Sequence, residues 1–321
     1  MQIIQLTENG VENPVHPDLH FIEANTEPMT LADMREQHII PVFVKDNSPT
    51  ISQADFIQNT LEIVEEASGR SVTHPSIRVS HPIKGRIFEA RNKPAAQLED
   101  WEKTIYYERM AFVAEIPSIK ETVNGQELTL CFGGVKAYNE DNLYNIGGSI
   151  QRFRFFLGFK VKVCTNLCIW TDGYSGELKA RNLQELTDSI YEVVSNYRSD
   201  RQLDLLEQIA HYELTEQQFA KLVGLARLYR HLPKQMRNGI PELVISDSQI
   251  SAITRSYYHD EHFRRNSDGG INLWNLYNLL THAVKSSYID DFLDRNVNAM
   301  QLIEGIRDAL DGSGDYEWFL S

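Results

Sequence analysis

The chain has 321 residues, 42% hydrophobic and 24% charged, with a net charge of −14. That composition excludes disordered and fibrous classes, and a chain this long can bury about 75% of its unfolded surface without staples. Three cysteines make no disulfide framework, no apolar run nears the roughly 20 residues of a membrane span, and the N-terminal stretch lacks the basic region of a signal peptide, so a cytoplasmic protein without membrane attachment is expected.

The charge is unevenly spread. Residues 1–66 hold 2 basic and 12 acidic side chains, residues 67–181 hold 16 and 12, and residues 182–321 hold 13 and 21. A basic middle between acidic flanks directs the search toward an anionic partner of the middle.

Residues 1–50 are spaced by Pro14, Pro17, Pro28, Pro41 and Pro49 and read as an irregular segment that wraps the core. A helix is predicted from Ser52 to Ala67, with Ser52 as N-cap, Asp55 as an imperfect capping-box partner and Gly69 as its stop. Phe56, Ile57, Leu61 and Val64 give it an apolar stripe. Residues 51–181 otherwise read as β. Ala111–Ile116 is a strand that Pro117 ends or bends, Asn124-Gly125 is a hairpin turn, and Glu127–Phe132 is the returning strand. Gly147-Gly148 marks a turn, and Phe153–Trp170 reads as one long strand interrupted at Gly158.

From Asn182 the period becomes helical. Leu183, Leu186, Ile190, Val193 and Val194 form one stripe, and Leu203, Leu206, Ile209 and Ala210 another. Thr215 and Gln218 form a capping box for a helix to about His231, and further helices are predicted over 248–258, 273–285 and 289–310. Strands followed by helices predict an α+β fold: an antiparallel β-rich middle with an all-helical C-terminal half, 182–321, packed on it. Tyr191, Tyr197 and the final Trp318-Phe319-Leu320 are expected to dock on the β half.

On a single strand Cys164 and Cys168 share a face with Cα atoms roughly 13 Å apart, too far for a disulfide or one zinc ion. Cys131 adds a third thiol without a nearby histidine, so buried, inert cysteines are expected and no metal is assigned. His259 and His262 flank a helix end rather than an HExxH motif, and His74 and His81 sit beside prolines as loop residues. Asp290, Asp291 and Asp294 gather at a helix start for dipole and capping reasons; a metal-dependent nuclease would collect such carboxylates from several elements. Asn272, Asn275 and Asn278 either bond backbone or line a polar groove. No Walker loop, GxGxxG, GxSxG or CxxC is present, so no cofactor is expected.

The basic β region remains. Arg70, Arg78, Lys84, Arg86, Arg91 and Lys93 lie in a stretch whose one acid is Glu89. Arg152, Arg154, Lys160 and Lys162 alternate with Phe153, Phe155 and Phe159, so one strand face carries the cations. Cations that track phosphates beside rings that stack bases are the pattern of single-strand binding. The same alternation equally describes a solvated face over a phenylalanine core. The candidate contacts are Arg78, Lys84, Arg86, Arg91, Arg152, Arg154, Lys160 and Lys162.

The stretches FIEANT, IRVSHPIKGRI, EKTIYYERMAF, CTNLC, YIDDFLDRNVNA and WFLS together resemble a domain-of-unknown-function family, number thirty-eight seventy-one, over nearly the whole chain. The order of GG loop, basic strand, VCTN and NLWNLYNLLT is more distantly similar to phage/plasmid-related proteins. Neither resemblance brings a catalytic residue. What they imply is genomic company among conjugative elements and phage. Two function classes follow: a non-enzymatic single-strand-binding accessory protein, or an interaction or inhibitor protein that uses its acidic helical half, with a homo-oligomer open in either case. A hydrolase or nuclease is third.

Overall fold

The computed structural model describes residues 20–37, 50–141 and 150–321. Its centre is an antiparallel sheet of six strands, β1 (Glu27–Met29), β2 (Ser76–Val79), β5 (Arg109–Val123), β6 (Gln126–Ala137), β7 (Gln151–Val161) and β8 (Leu167–Ala180), neighbours in that order. Between β2 and β5 the chain leaves the sheet to build a separate ribbon, in which β3 (Pro82–Arg86) pairs antiparallel with β4 (Lys103–Tyr107). Among the described residues two helices precede the ribbon, α1 (Leu31–Gln37) and α2 (Gln53–Ser68). After the sheet come α3 (Leu183–Asn196), α4 (Ser199–Ile209), α5 (Glu216–His231), α6 (Asp247–His259), α7 (Leu273–Val284) and α8 (Ile289–Leu310). A two-residue pair, β9 (Glu213–Leu214) with β10 (Ile271–Asn272), ties α5 to α7. The fold is α+β, as expected, with helices mostly in the C-terminal half.

Local signals set most boundaries. Ser52 and Asp55 form the full capping box of α2, and Gly69 ends the helix in the left-handed region at φ 62°. Asn182 caps α3 and the Thr215–Gln218 box opens α5. Asn124 and Gly125, both at positive φ, turn β5 into β6. Pro117 does not end β5: the strand runs through it, with a register shift between Glu115 and Lys120. A proline there removes one ladder donor, and the bulge absorbs the loss.

Three expectations need correction. The run Phe153–Trp170 is not one strand but β7, a tight turn over 162–166, and β8. β-branched and aromatic content continues through the turn, so composition hides it. Residues 20–37 are not irregular, since they hold β1 and α1, and Phe21, Ile22 and Met34 are core residues. Tyr197 does dock on the sheet, its ring against Gly173 of β8, but Trp318 and Phe319 pack on Tyr229 of α5, inside the helical half, and Tyr191 is exposed. The Gly147-Gly148 turn lies outside the described residues.

Alternation gives the sheet two apolar faces. Phe112, Phe132, Phe153, Phe155 and Phe159 join one core with Phe56 of α2 and Leu186 of α3. Val113, Cys131, Phe156 and Ile169 join a second core with Phe21, Ile22 and the α8 side chains Phe292 and Leu293. Each buried phenylalanine contributes about 1.5–3 kcal/mol. The Gly133-Gly134 pair has a packing reason: a Cβ at Gly134 would stand 2.6 Å from the Phe56 ring. Helix α8 therefore covers the same sheet face that carries the even-numbered residues of β7, and this fixes the fate of the basic stripe.

Candidate nucleic-acid interface

The four cations of the β7 region share a parity, as alternation requires, and each meets a carboxylate. Arg152 lies 3.6 Å from Glu177 on β8. Arg154 grips Glu140 through both terminal nitrogens at 2.9 and 2.8 Å and lies 3.7 Å from Asp294 of α8. Lys160 pairs with Glu115 across the sheet, and Lys162 pairs with Glu127 at 3.1 Å. Arg154 is only 15% exposed and Lys160 only 23%. Glu140 and Asp294 hold the Arg154 guanidinium charged against its burial.

The aspartates that open α8 supply much of this neutralisation. Asp290 accepts from Arg109 Nε at 2.7 Å, Asp291 pairs with Arg295, and Asp294 accepts from the Tyr174 hydroxyl. Glu108 completes the pairing of Arg109 at 2.7 Å. The carboxylates do come from several elements, yet arginines occupy the space between them. Among the described residues no group of three metal-ligating side chains is poised for an ion.

A second arginine and lysine set sits elsewhere. Arg78 is 7% exposed and donates to the Thr26 hydroxyl and carbonyl, which fixes β1 to β2. Lys84, Arg86 and Arg91 belong to the ribbon and its connection. Register places Lys84 opposite Ile105 and Arg86 opposite Lys103, so these four share one ribbon face. Directly opposed residues always point the same way across a pleated pair. Lys84, Lys103 and Ile105 are exposed on it, and Thr104, of the opposite parity, is buried. Just before β4, Trp101 is 70% exposed at the Arg86 end, where the Ile87 amide bonds the Glu102 carbonyl. The Arg86 guanidinium donates to the Lys93 carbonyl, and Lys93 pairs with buried Glu102 at 2.5 Å, so the connection is braced from within. Arg91 is exposed. Sequence reasoning missed Trp101 and Lys103, although EDWEKTIYY shows an aromatic beside alternating polar and β-branched residues.

The remaining candidates resolve into structure. Cys131 and Cys168 are buried in opposite cores and Cys164 lies in the β7–β8 turn. Burial pushes the Cys164 thiol up to about 11 and raises the other two as well, so none is thiolate at neutral pH. His259 ends α6, and Asp260 caps the amides of His262 and Phe263. His74 and His81 lie in loops. Asn272 caps α7, and Asn278 donates to the Trp274 carbonyl while its own carbonyl accepts from Asn166. No helix of the described residues is long and apolar enough to cross a membrane.

The fold and its surface define an α+β protein built on a six-stranded antiparallel sheet covered on both faces, with a separate ribbon bearing exposed cations and a tryptophan. A family model described as "Domain of unknown function, B. Theta Gene description (DUF3871)" matches residues 4–320, and the chain belongs to that family. No curated protein and no solved structure matches the chain.

Proposed function

We propose that the chain is a nucleic-acid-associated accessory protein of mobile genetic elements that holds single strands on the outer face of its β3–β4 ribbon. The observation that carries this reading is Trp101, 70% exposed beside a face presenting Lys84, Arg86 and Lys103. An indole left in water at that exposure gains from stacking on a base, about 1–3 kcal/mol per base, while the cations track phosphates. Binding is sequence-tolerant, because nothing on the face reads base edges. The strand β7 cations support the sheet in this reading and do not touch the ligand.

The test is anisotropy of a labelled short single-stranded oligonucleotide at about 50 mM salt, where phosphate contacts are strongest. Wild type binds, Trp101→Ala weakens binding, and Lys84→Glu with Arg86→Glu abolishes it. If wild type shows no anisotropy change, the nucleic-acid reading fails and the interaction-protein reading, with a basic partner for the acidic helical half, replaces it.

A further inference from the structure

A small polar cleft opens where the start of β2, the middle of β5 and the end of β7 meet. It encloses about 80 Å³ and is lined by Thr73, His74, Ser76, Glu115, Lys160 and Thr165. It adjoins Ser76 at the start of β2, whereas the ribbon leaves the opposite end of that strand after Val79. The two sites are therefore separate.

Thr165 forms one wall, and its backbone is unusual. It sits at φ 55°, in the left-handed region that a β-branched residue seldom adopts. Such strain persists only where surrounding contacts over-determine it, and it concentrates at functional sites. Here the Thr165 amide donates to the Val161 carbonyl at 2.8 Å and its hydroxyl donates to the His20 carbonyl at 3.0 Å. From behind, Lys285 Nζ donates to the Thr165 hydroxyl at 3.1 Å and to the Cys164 carbonyl. Lys285 is 1% exposed, and no carboxylate of the described residues bonds it. A buried ammonium without an anion is costly. The field of Glu23 offsets part of that cost, and Lys160 adds a smaller part to it.

The donors facing the cleft are not used up. Lys160 gives one N–H to Glu115 and keeps two. The Thr73 hydroxyl accepts from the Glu115 amide at 2.9 Å, which leaves its own proton to donate. Ser76 and His74 are exposed at the rim. With Glu115 beside Lys160 and the field of Glu23 on Lys285, charge is near balance, and what the cleft offers is unused donors around a space that holds about five water-sized positions. That space is too small for a nucleoside.

We infer that this cleft binds a small oxyanion of the carboxylate or phosphate class, held by Lys160 and the Thr73 and Ser76 hydroxyls over the field of Lys285. The inference does not rest on the nucleic-acid reading. It is tested by calorimetry and thermal unfolding with inorganic phosphate or acetate, against sodium chloride at matched ionic strength. An anion that binds only the folded chain raises the unfolding temperature as its concentration passes Kd, about 2.7 kcal/mol at 100 Kd. Phosphate or acetate stabilises wild type, and whichever gives the larger shift names the class. Lys160→Met removes the response, Glu115→Gln strengthens it several-fold by removing the competing carboxylate, and Ser76→Ala, at an exposed position, weakens it if Lys160→Met fails to fold. A plain structural ion pair gives a different pattern: both pair variants lose stability and the anion response does not change. That pattern, a loss of response in Glu115→Gln, or no response in wild type to either anion overturns the inference.

Discussion

Strand β7 and the β3–β4 ribbon carry the same kinds of residue, and their fates differ. Both set cations on one face of a strand with aromatic residues close by. On β7 that face lies under α8 and beside β8, where Asp294, Glu140, Glu115 and Glu177 meet Arg154, Lys160 and Arg152. On the ribbon the corresponding face looks to solvent, with Ile105 exposed on it and Trp101 exposed beside it, and the pairing there is local, Lys103 with exposed Asp100 at 2.6 Å. The lesson is that a basic strand becomes a binding surface or a brace according to what the fold lays over it. A nucleic-acid strand could reach Arg154 only by displacing Glu140 and Asp294, which already satisfy it.

The largest effect is expected on the sheet side at Lys136 and Asp141, whose side chains are 0% exposed and 2.5 Å apart, with Asp141 also accepting the Arg152 amide at 2.8 Å. Asp141→Ala leaves a buried ammonium without its partner and should cost about 3–5 kcal/mol in chemical denaturation. A loss of only a few tenths would show that the sheet side does not depend on its ion pairs.

Next comes Arg154→Ala. It removes the two-pronged bond to Glu140 beneath α8 and should cost about 1–3 kcal/mol while leaving oligonucleotide affinity unchanged. If affinity falls and stability does not, the assignment of brace and surface is reversed.

The ribbon should respond in the opposite sense. Trp101→Ala should lose about 1–3 kcal/mol of single-strand binding with little change in unfolding temperature. Salt titration of wild type should give a slope of about −2 in log K against log salt, from three phosphate contacts at Lys84, Arg86 and Lys103. A steeper slope that survives charge reversal of Lys84 and Arg86 would place the phosphates elsewhere.

The smallest effect is a pH dependence on the sheet side. His282 is partly buried beside Lys285, and burial first and Lys285 second push its pKa below the ordinary 6.5, against the pull of Glu23 and Asp260. The unfolded imidazole therefore binds its proton at higher pH than the folded one. The contribution of His282 to stability is present above pH 6.5 and is lost as pH falls through the folded pKa. Denaturation midpoints measured between pH 8 and pH 5 should fall more in wild type than in His282→Gln.

Much of this was legible in the sequence because it is local. Ser52, Asp55 and Gly69 bracket α2, Thr215 and Gln218 open α5, and Asn124-Gly125 turns the hairpin, each within a few residues of what it controls. The turn inside VKVCTNLCIW escaped notice because Val163, Cys164 and Thr165 suit a strand by composition. It is held instead by His20 and Lys285, which are distant in sequence.

The α+β order, the caps, the β7 alternation and the irregularity at Gly158, where the β7–β8 register shifts, follow from the sequence alone. Those properties depend on period and on neighbours within one turn or one pleat. Only the tertiary structure decided which cations are covered. Arg109 meets Asp290 across 181 residues, Arg154 meets Asp294 across 140, and Thr165 meets Lys285 across 120. Charge is neutralised at distances of about 3–4 Å in space, and no pattern along a chain encodes which carboxylate will arrive there.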